Sequence, residues 1–173
     1  MNTIALNKGS LSKYLRNCFI LLVPILVWNI AFYDLLPPAF HREQFNEGIP
    51  SFIIWTENIL RLVVFVAPAF MPLTIFFKYQ KFGLALYFIG IFIYFLSWRP
   101  LILYPDGDWS TSLLGFMLPA ITPLIFLTGI GLIGYRLFFN VRYKQMIYIL
   151  ISFVLIIFHS VHVYLTYQGL HFH

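Results

Sequence analysis

Four side chains in this 173-residue sequence stand where they could do chemistry: Glu57, Arg61, His159 and His162. Glu57 precedes Arg61 by four residues, the favourable order for an ion pair along one helix face, and Asn58 sits beside them. Counted from Phe52 at about 1.5 Å per residue, Glu57 lies roughly 8 Å and Arg61 roughly 14 Å into an apolar helix. Ionisable groups at that depth face a bundle interior and mark either a functional site or a self-neutralising pair that fixes packing. Ser152, His159, His162 and Thr166 fall on one helical stripe, because residues three, four and seven apart share a face. Neighbouring histidines can relay a proton, act as general acid and base, or bind a metal.

Metal is the weakest of these. Zinc takes three or four protein ligands, and only Glu57, Asp34 or the terminal histidines could complete such a set. The sequence has no His-Glu-x-x-His run, and its five histidines are too few for a multi-histidine di-iron site. Two histidines on one helix face cannot flank a haem iron from opposite sides. The expectation is therefore no metal and no cofactor, with the histidines hydrogen-bonded inside a bundle. Cys18 is the single cysteine, so an intrachain disulfide is excluded. Gly129-Ile130-Gly131-Leu132-Ile133-Gly134 matches a dinucleotide-binding pattern by letter, but it lies inside an apolar run rather than between a strand and a helix. Small residues that let helices approach closely are the better reading.

Further polar and aromatic candidates gather near the same depth. Asn29 and Asp34 lie toward one end of the first apolar run, and Arg99 follows Trp98 near the end of the third. Arg99 could meet lipid phosphate, Asp106 or Asp108, or Glu57. The four tryptophans, Trp28, Trp55, Trp98 and Trp109, all fall in one half of the membrane. Aromatic belts usually occupy both interfaces. The asymmetry therefore points to an aromatic-lined cavity, with Trp55 and Trp98 beside the polar residues.

The elements that must position these groups are read from apolar run length. Residues are 61% hydrophobic, 20% aromatic and 10% charged, against about 25% charged in a soluble domain. A membrane-crossing helix needs roughly 20 apolar residues. Five such runs occupy residues 16–36, 52–77, 82–104, 111–135 and 145–167, which makes residues 1–173 one all-α transmembrane domain. The first run is long and carries no small-residue cleavage pattern, so it reads as a retained anchor rather than a signal peptide. Pro105-Asp106-Gly107-Asp108 marks the turn between the third and fourth runs.

Charges sort by side. Lys8, Lys13, Arg16, Lys78, Lys81, Arg136, Arg142 and Lys144 fall on one side with no acid. Arg42, Arg61 and Arg99 fall on the other, with all six acids: Asp34, Glu43, Glu47, Glu57, Asp106 and Asp108. Basic residues at span ends favour the cytoplasm. The expected topology is thus N-terminus in and C-terminus out, as suits a bacterial inner (plasma) membrane. The net charge of +5 forms no patch with interleaved polar readers, which excludes nucleic acid as a partner.

Two segments repeat. Pro68-Ala69-Phe70-Met71-Pro72-Leu73 and Pro119-Ala120-Ile121-Thr122-Pro123-Leu124 lie 51 residues apart, an offset that also sets Glu57 against Asp108. They suggest a tandem helix hairpin, with the second and third runs copied as the fourth and fifth. Each proline removes a backbone donor, so both helices are expected to kink.

No family is identified. The general shape is similar to that of translocator (tryptophan-rich sensory) proteins, but their tryptophan and proline motifs are not found. The double glutamate of membrane CAAX-type proteases is broken here, where Thr56 and Asn58 flank a single Glu57. Three functions fit the residues. The first is an outward-facing polar and aromatic pocket that binds or transports a small amphipathic or lipid-like ligand. Its candidate lining is Glu57, Asn58, Arg61, Arg99, His159, His162, Trp55 and Trp98. The second is an intramembrane enzyme acting on a lipid or isoprenoid from the outer leaflet. The third is an accessory or assembly subunit of a membrane complex. Membrane lipid is the expected partner in each, and a homo-oligomer or a membrane partner protein is left open.

Overall fold

The computed structural model describes residues 16–139 and 144–172. Lys8, Lys13 and Arg142 of the basic set, and His173 of the terminal histidines, lie outside the described residues. Among the described residues the chain is all-helical apart from one isolated bridge between Asn17 and Pro72. Five helical segments are long and apolar enough to cross a membrane: Cys18–Leu35, Ser51–Phe70, Lys78–Leu103, Leu113–Ile133 and Gln145–Leu170. Their outer faces carry many exposed large apolar side chains, among them Ile30, Phe52, Leu62, Phe92 and Leu150. Water would not tolerate so large an apolar surface on a monomer, so the protein is a multi-pass membrane protein.

The two Pro-x-x-x-Pro segments behave differently. In the fourth span the helix breaks at Thr122 and resumes at Pro123. The second span does not kink and continue: its α-helix ends at Val66, a 3₁₀ turn covers Ala67–Phe70, and the chain is non-helical from Met71 to Phe77. That segment pairs instead with the start of the first span. Cys18 donates its backbone N–H to the Met71 carbonyl at 2.8 Å, and Leu73 donates to Arg16 at 3.0 Å. An apolar run of sufficient length conceals such an exit, because hydropathy does not register a lost backbone donor.

Pro68 cannot donate to Val64, one turn earlier, and in a membrane the freed carbonyl must find another partner. The Tyr148 hydroxyl of the fifth span supplies it at 3.2 Å. Tyr148→Phe should leave that carbonyl buried without this donor, costing about 1–3 kcal/mol. Denaturant titration in mixed micelles would measure the loss, and unchanged stability would show that another group takes over. Two more tyrosines do similar work from the third span: Tyr87 donates to the Leu21 carbonyl at 2.8 Å and Tyr94 to Asn29 Oδ1 at 2.7 Å.

Glycine sets the closest packing. Gly83 and Gly90 of the third span face Gly129 and Phe126 of the fourth. A Cβ on Gly90 would lie 2.5 Å from the Phe126 backbone nitrogen, and one on Gly129 2.5 Å from the Gly83 carbonyl oxygen. Gly131 meets Tyr148 and Ile149 of the fifth span, and Gly134 meets Met71. The glycine-rich stretch of the fourth span is thus a helix-packing surface. At the same end, buried Gln80 accepts from the backbone N–H groups of Phe76 and Phe77 and donates to the Ile133 carbonyl at 3.0 Å. It ties the start of the third span to the end of the fourth.

The main core runs through the bundle around Ile25, Leu101, Phe126 and Leu155. A second, smaller core of Ala39, Phe116, Ala120 and Val163 lies at the end that carries the acids. It is covered by the segment between the first and second spans, which folds into a 3₁₀ turn at Pro38–Phe40 and a short helix at Arg42–Phe45. Gly48, at φ 69°, lets the chain turn back after that helix.

Candidate functional site

Glu57 is 2% exposed, and three side chains converge on its carboxyl group. Arg61 binds Oε1 from the next turn of the same helix. His159 Nδ1 lies 3.0 Å from the same oxygen, and His162 Nδ1 lies 2.6 Å from Oε2. The i,i+4 spacing positions the arginine, and the i,i+3 spacing puts both histidines on one face of the fifth span. A carboxylate accepting several charge-assisted hydrogen bonds is held far better than a lone buried charge.

His162 reaches in two directions. Its Nε2 lies 2.9 Å from the Phe45 carbonyl oxygen, which also accepts the Thr166 hydroxyl at 3.0 Å. The Phe45 ring packs on the His162 imidazole with centroids 4.2 Å apart. The segment between the first two spans is therefore fastened onto the fifth span at one carbonyl. Around this fastening, Arg42 donates its backbone N–H to the Tyr33 hydroxyl at 3.0 Å, Asn46 donates to the Arg42 carbonyl, and Tyr33 stacks on His41.

Beneath the segment is an open cavity of about 630 Å³. Glu57, Asn58, Arg61, His159 and His162 line it, with Arg42, Asn46 and Tyr94, and with apolar surface from Phe40, Phe45, Phe116 and Ala120. A second cavity of about 570 Å³ is walled mainly by Ile25, Leu26, Leu62, Phe65, Phe126, Leu127, Leu155 and Ile156. Asn58, Arg61, Tyr94, Pro119 and His159 line both, so a polar chamber and an apolar one share a wall.

Of the residues singled out from sequence, Glu57, Asn58, Arg61, His159 and His162 come together. The other three lie elsewhere. Trp55 is 70% exposed on the outer face of the second span. Trp98 is buried in the main core against Tyr94. Arg99 is exposed, lines neither cavity, and forms no ion pair among the described residues. Trp28 packs on Phe32 and Phe95, and Trp109 is partly exposed. The aromatic walls of the polar chamber come from Tyr33, Phe40, Phe45, Tyr94 and Phe116 instead. Of the stripe on the fifth span, Ser152, His162 and Thr166 are buried, and the Ser152 hydroxyl has no hydrogen-bond partner among the described residues.

Sequence reasoning missed Arg42, Phe45 and Tyr94. Tyr94 carries no signal that sets it apart from the chain's other tyrosines. Phe45 acts through its carbonyl, a group every residue has. Among the described residues, no group of three or more His, Cys, Asp or Glu side chains is arranged to hold a metal ion. His162 has both ring nitrogens engaged, and His159, with Nδ1 on Glu57, has no protein partner for Nε2 among the described residues. Compared with known proteins, the chain matches no family model, no curated protein and no solved structure.

Proposed function

We propose that this membrane protein binds a small amphipathic, lipid-like ligand, with its polar end beside Glu57, Arg61 and His159 and its apolar part in the adjoining chamber. The observation that carries the reading is the shared wall. One chamber presents a carboxylate, guanidinium and imidazole groups, the other is mostly apolar, and five residues border both. Arg61 lies ten residues into the helix that starts at Ser51, about 15 Å at 1.5 Å per residue. Its side chain is nonetheless 47% exposed, with one nitrogen on Glu57 and no other protein partner among the described residues. Hydrocarbon cannot satisfy those donors, whereas a ligand headgroup or water in the chamber can.

The described basic residues at span ends, Arg16, Lys78, Lys81, Arg136 and Lys144, gather at the end opposite the polar chamber. By the positive-inside rule we place that end in the cytoplasm, the N-terminus in, the C-terminus out and the chamber outward, as in a bacterial inner membrane. Glu47→Cys should then react with an impermeant maleimide added to intact cells, and Lys78→Cys should not. The reverse labelling would overturn the orientation. We also read the two Pro-x-x-x-Pro segments as copies of one hairpin, supported by their common offset of 51 and their common direction of travel from the acidic end.

The binding reading is tested by native mass spectrometry of the gently purified protein beside Asn58→Trp. Asn58 is exposed and lines both chambers, so the indole should fill the wall without burying strain in the core. A co-purified amphipathic molecule on the wild type, reduced at least about tenfold in the variant, is expected; tenfold corresponds to about 1.4 kcal/mol. An empty wild type, or an occupant the variant keeps, would sink the reading.

One observation favours a second reading, an enzyme acting on a lipid from the outer leaflet. His159 sets Nδ1 against Glu57, and Nε2 has no protein partner among the described residues. A carboxylate holding Nδ1–H leaves Nε2 as a lone-pair base toward the chamber. Turnover of a bound lipid that is lost in His159→Gln with binding retained would select this reading.

A further inference from the structure

We propose that the headgroup taken by the polar chamber is a phosphate monoester, seated on Arg42 and Arg61. This rests on the amphipathic reading above and names its charged end.

The charge of the chamber follows from counting protons. Among the described residues its lining carries two guanidiniums, Arg42 and Arg61, and one carboxylate, Glu57. His162 places Nδ1 on that carboxylate and Nε2 on the Phe45 carbonyl. Both partners are acceptors, while a neutral imidazole has a single N–H. One additional proton must therefore sit on the Glu57–His162 pair. On the imidazole it gives an ion pair, on the carboxyl a neutral pair, and the net charge is zero in either case. The carboxylate thus cannot offset the two arginines, and the chamber faces a ligand with a net charge of about two. A phosphate monoester carries −1.5 to −2 at neutral pH, whereas a carboxylate supplies half of that.

Geometry agrees with charge. The Arg42 backbone is fixed at both ends, its N–H on Tyr33 and its carbonyl on Asn46. Its side chain is exposed and has no protein partner among the described residues. Arg61 keeps most of its donors free at the shared wall. Guanidiniums suit phosphate because their planar fork matches two of its oxygens. Glu43 and Glu47, on the same segment as Arg42, do not line the chamber.

Phosphate could arrive on a lipid or free in solution, and a titration distinguishes the two. Dodecyl phosphate, dodecanoate, dodecanol and inorganic phosphate would each be titrated calorimetrically against the full-length protein in micelles of a neutral glycoside detergent. Dodecyl phosphate is expected to bind at least about tenfold more tightly than dodecanoate or dodecanol. Arg42→Gln should weaken it about tenfold and Arg61→Gln about a hundredfold, with dodecanol unaffected. Arg42→Gln keeps the test sound if Arg61→Gln fails to fold, since the Arg42 side chain has no protein partner among the described residues to lose. Inorganic phosphate binding as tightly, with the same arginine dependence, would uphold the phosphate site and sink the amphipathic reading. Dodecanol or dodecanoate binding as tightly as dodecyl phosphate would overturn the phosphate and leave the amphipathic reading standing. No binding by any probe would overturn both.

Discussion

Glu57→Leu is expected to destabilise the folded protein by about 3–5 kcal/mol, the cost of removing one partner from a buried charged network. The leucine fits an apolar bundle, so the loss comes from what it leaves behind. Arg61 would remain about 15 Å into the helix with no carboxylate, and His162 would keep one ring nitrogen on Phe45 and lose its other partner. Glu57→Gln should lose less, because its amide oxygen still accepts from one or two of the three donors. The triple variant Glu57→Leu/Arg61→Leu/His162→Phe should recover most of the loss, since apolar replacement of a buried ionic group is often neutral or better, and the one member left, His159, is 25% exposed and can meet water. Phe45 would still receive the Thr166 hydroxyl. Reversible unfolding in mixed micelles gives all three values. A Glu57→Leu protein as stable as wild type would show that the cluster is open to water and is no network. A triple variant that recovers stability but no longer retains a ligand would separate the site from the scaffold.

How much of this was legible in the sequence depends on which physical signal each feature leaves. Run length marks the five spans because the bilayer demands it. Spacing marks the Glu57–Arg61 pair and the stripe of Ser152, His159, His162 and Thr166, because a helix has one period. Neither signal says which helix stands opposite which. The meeting of Glu57 with His159 and His162, 102 and 105 residues away, is a property of the bundle. Trp55 and Trp98 show the same limit from the other side: similar residues at similar depth, one exposed and one in the core. In a helix that is apolar all round, composition does not distinguish the lipid face from the packed face. The proline segments illustrate a third case. Their spacing is identical, yet one ends a helix and the other breaks it for a single residue. The difference lies in Arg16 and Cys18, whose backbone groups offer Leu73 and Met71 partners outside the helix.

The other large effect should come from a residue with no side chain. Gly90→Leu is expected to disrupt the contact of the third and fourth spans, with a cost at or above the roughly 1–3 kcal/mol typical of overpacking. Even the first carbon of a side chain would lie 2.5 Å from the Phe126 backbone nitrogen and 3.0 Å from its Cα, and backbone cannot rotate aside as a side-chain tip can. The two helices must therefore separate. Tyr94, one turn further along the third span, packs edge-on against Phe126 with centroids 5.7 Å apart, and both residues wall the apolar chamber. Helix separation should consequently cost ligand retention as well as stability. Gly169→Ala supplies the opposite case. It lies in the fifth helix with nothing within 4 Å of its would-be Cβ, so removing its backbone freedom should stabilise by about 0.5–1 kcal/mol. Unfolding midpoints of the two variants in one detergent would decide it. Equal and small shifts would mean that the third and fourth spans are free to slide. A large loss at Gly90 alone would tie the chamber wall to the close approach of the third and fourth spans.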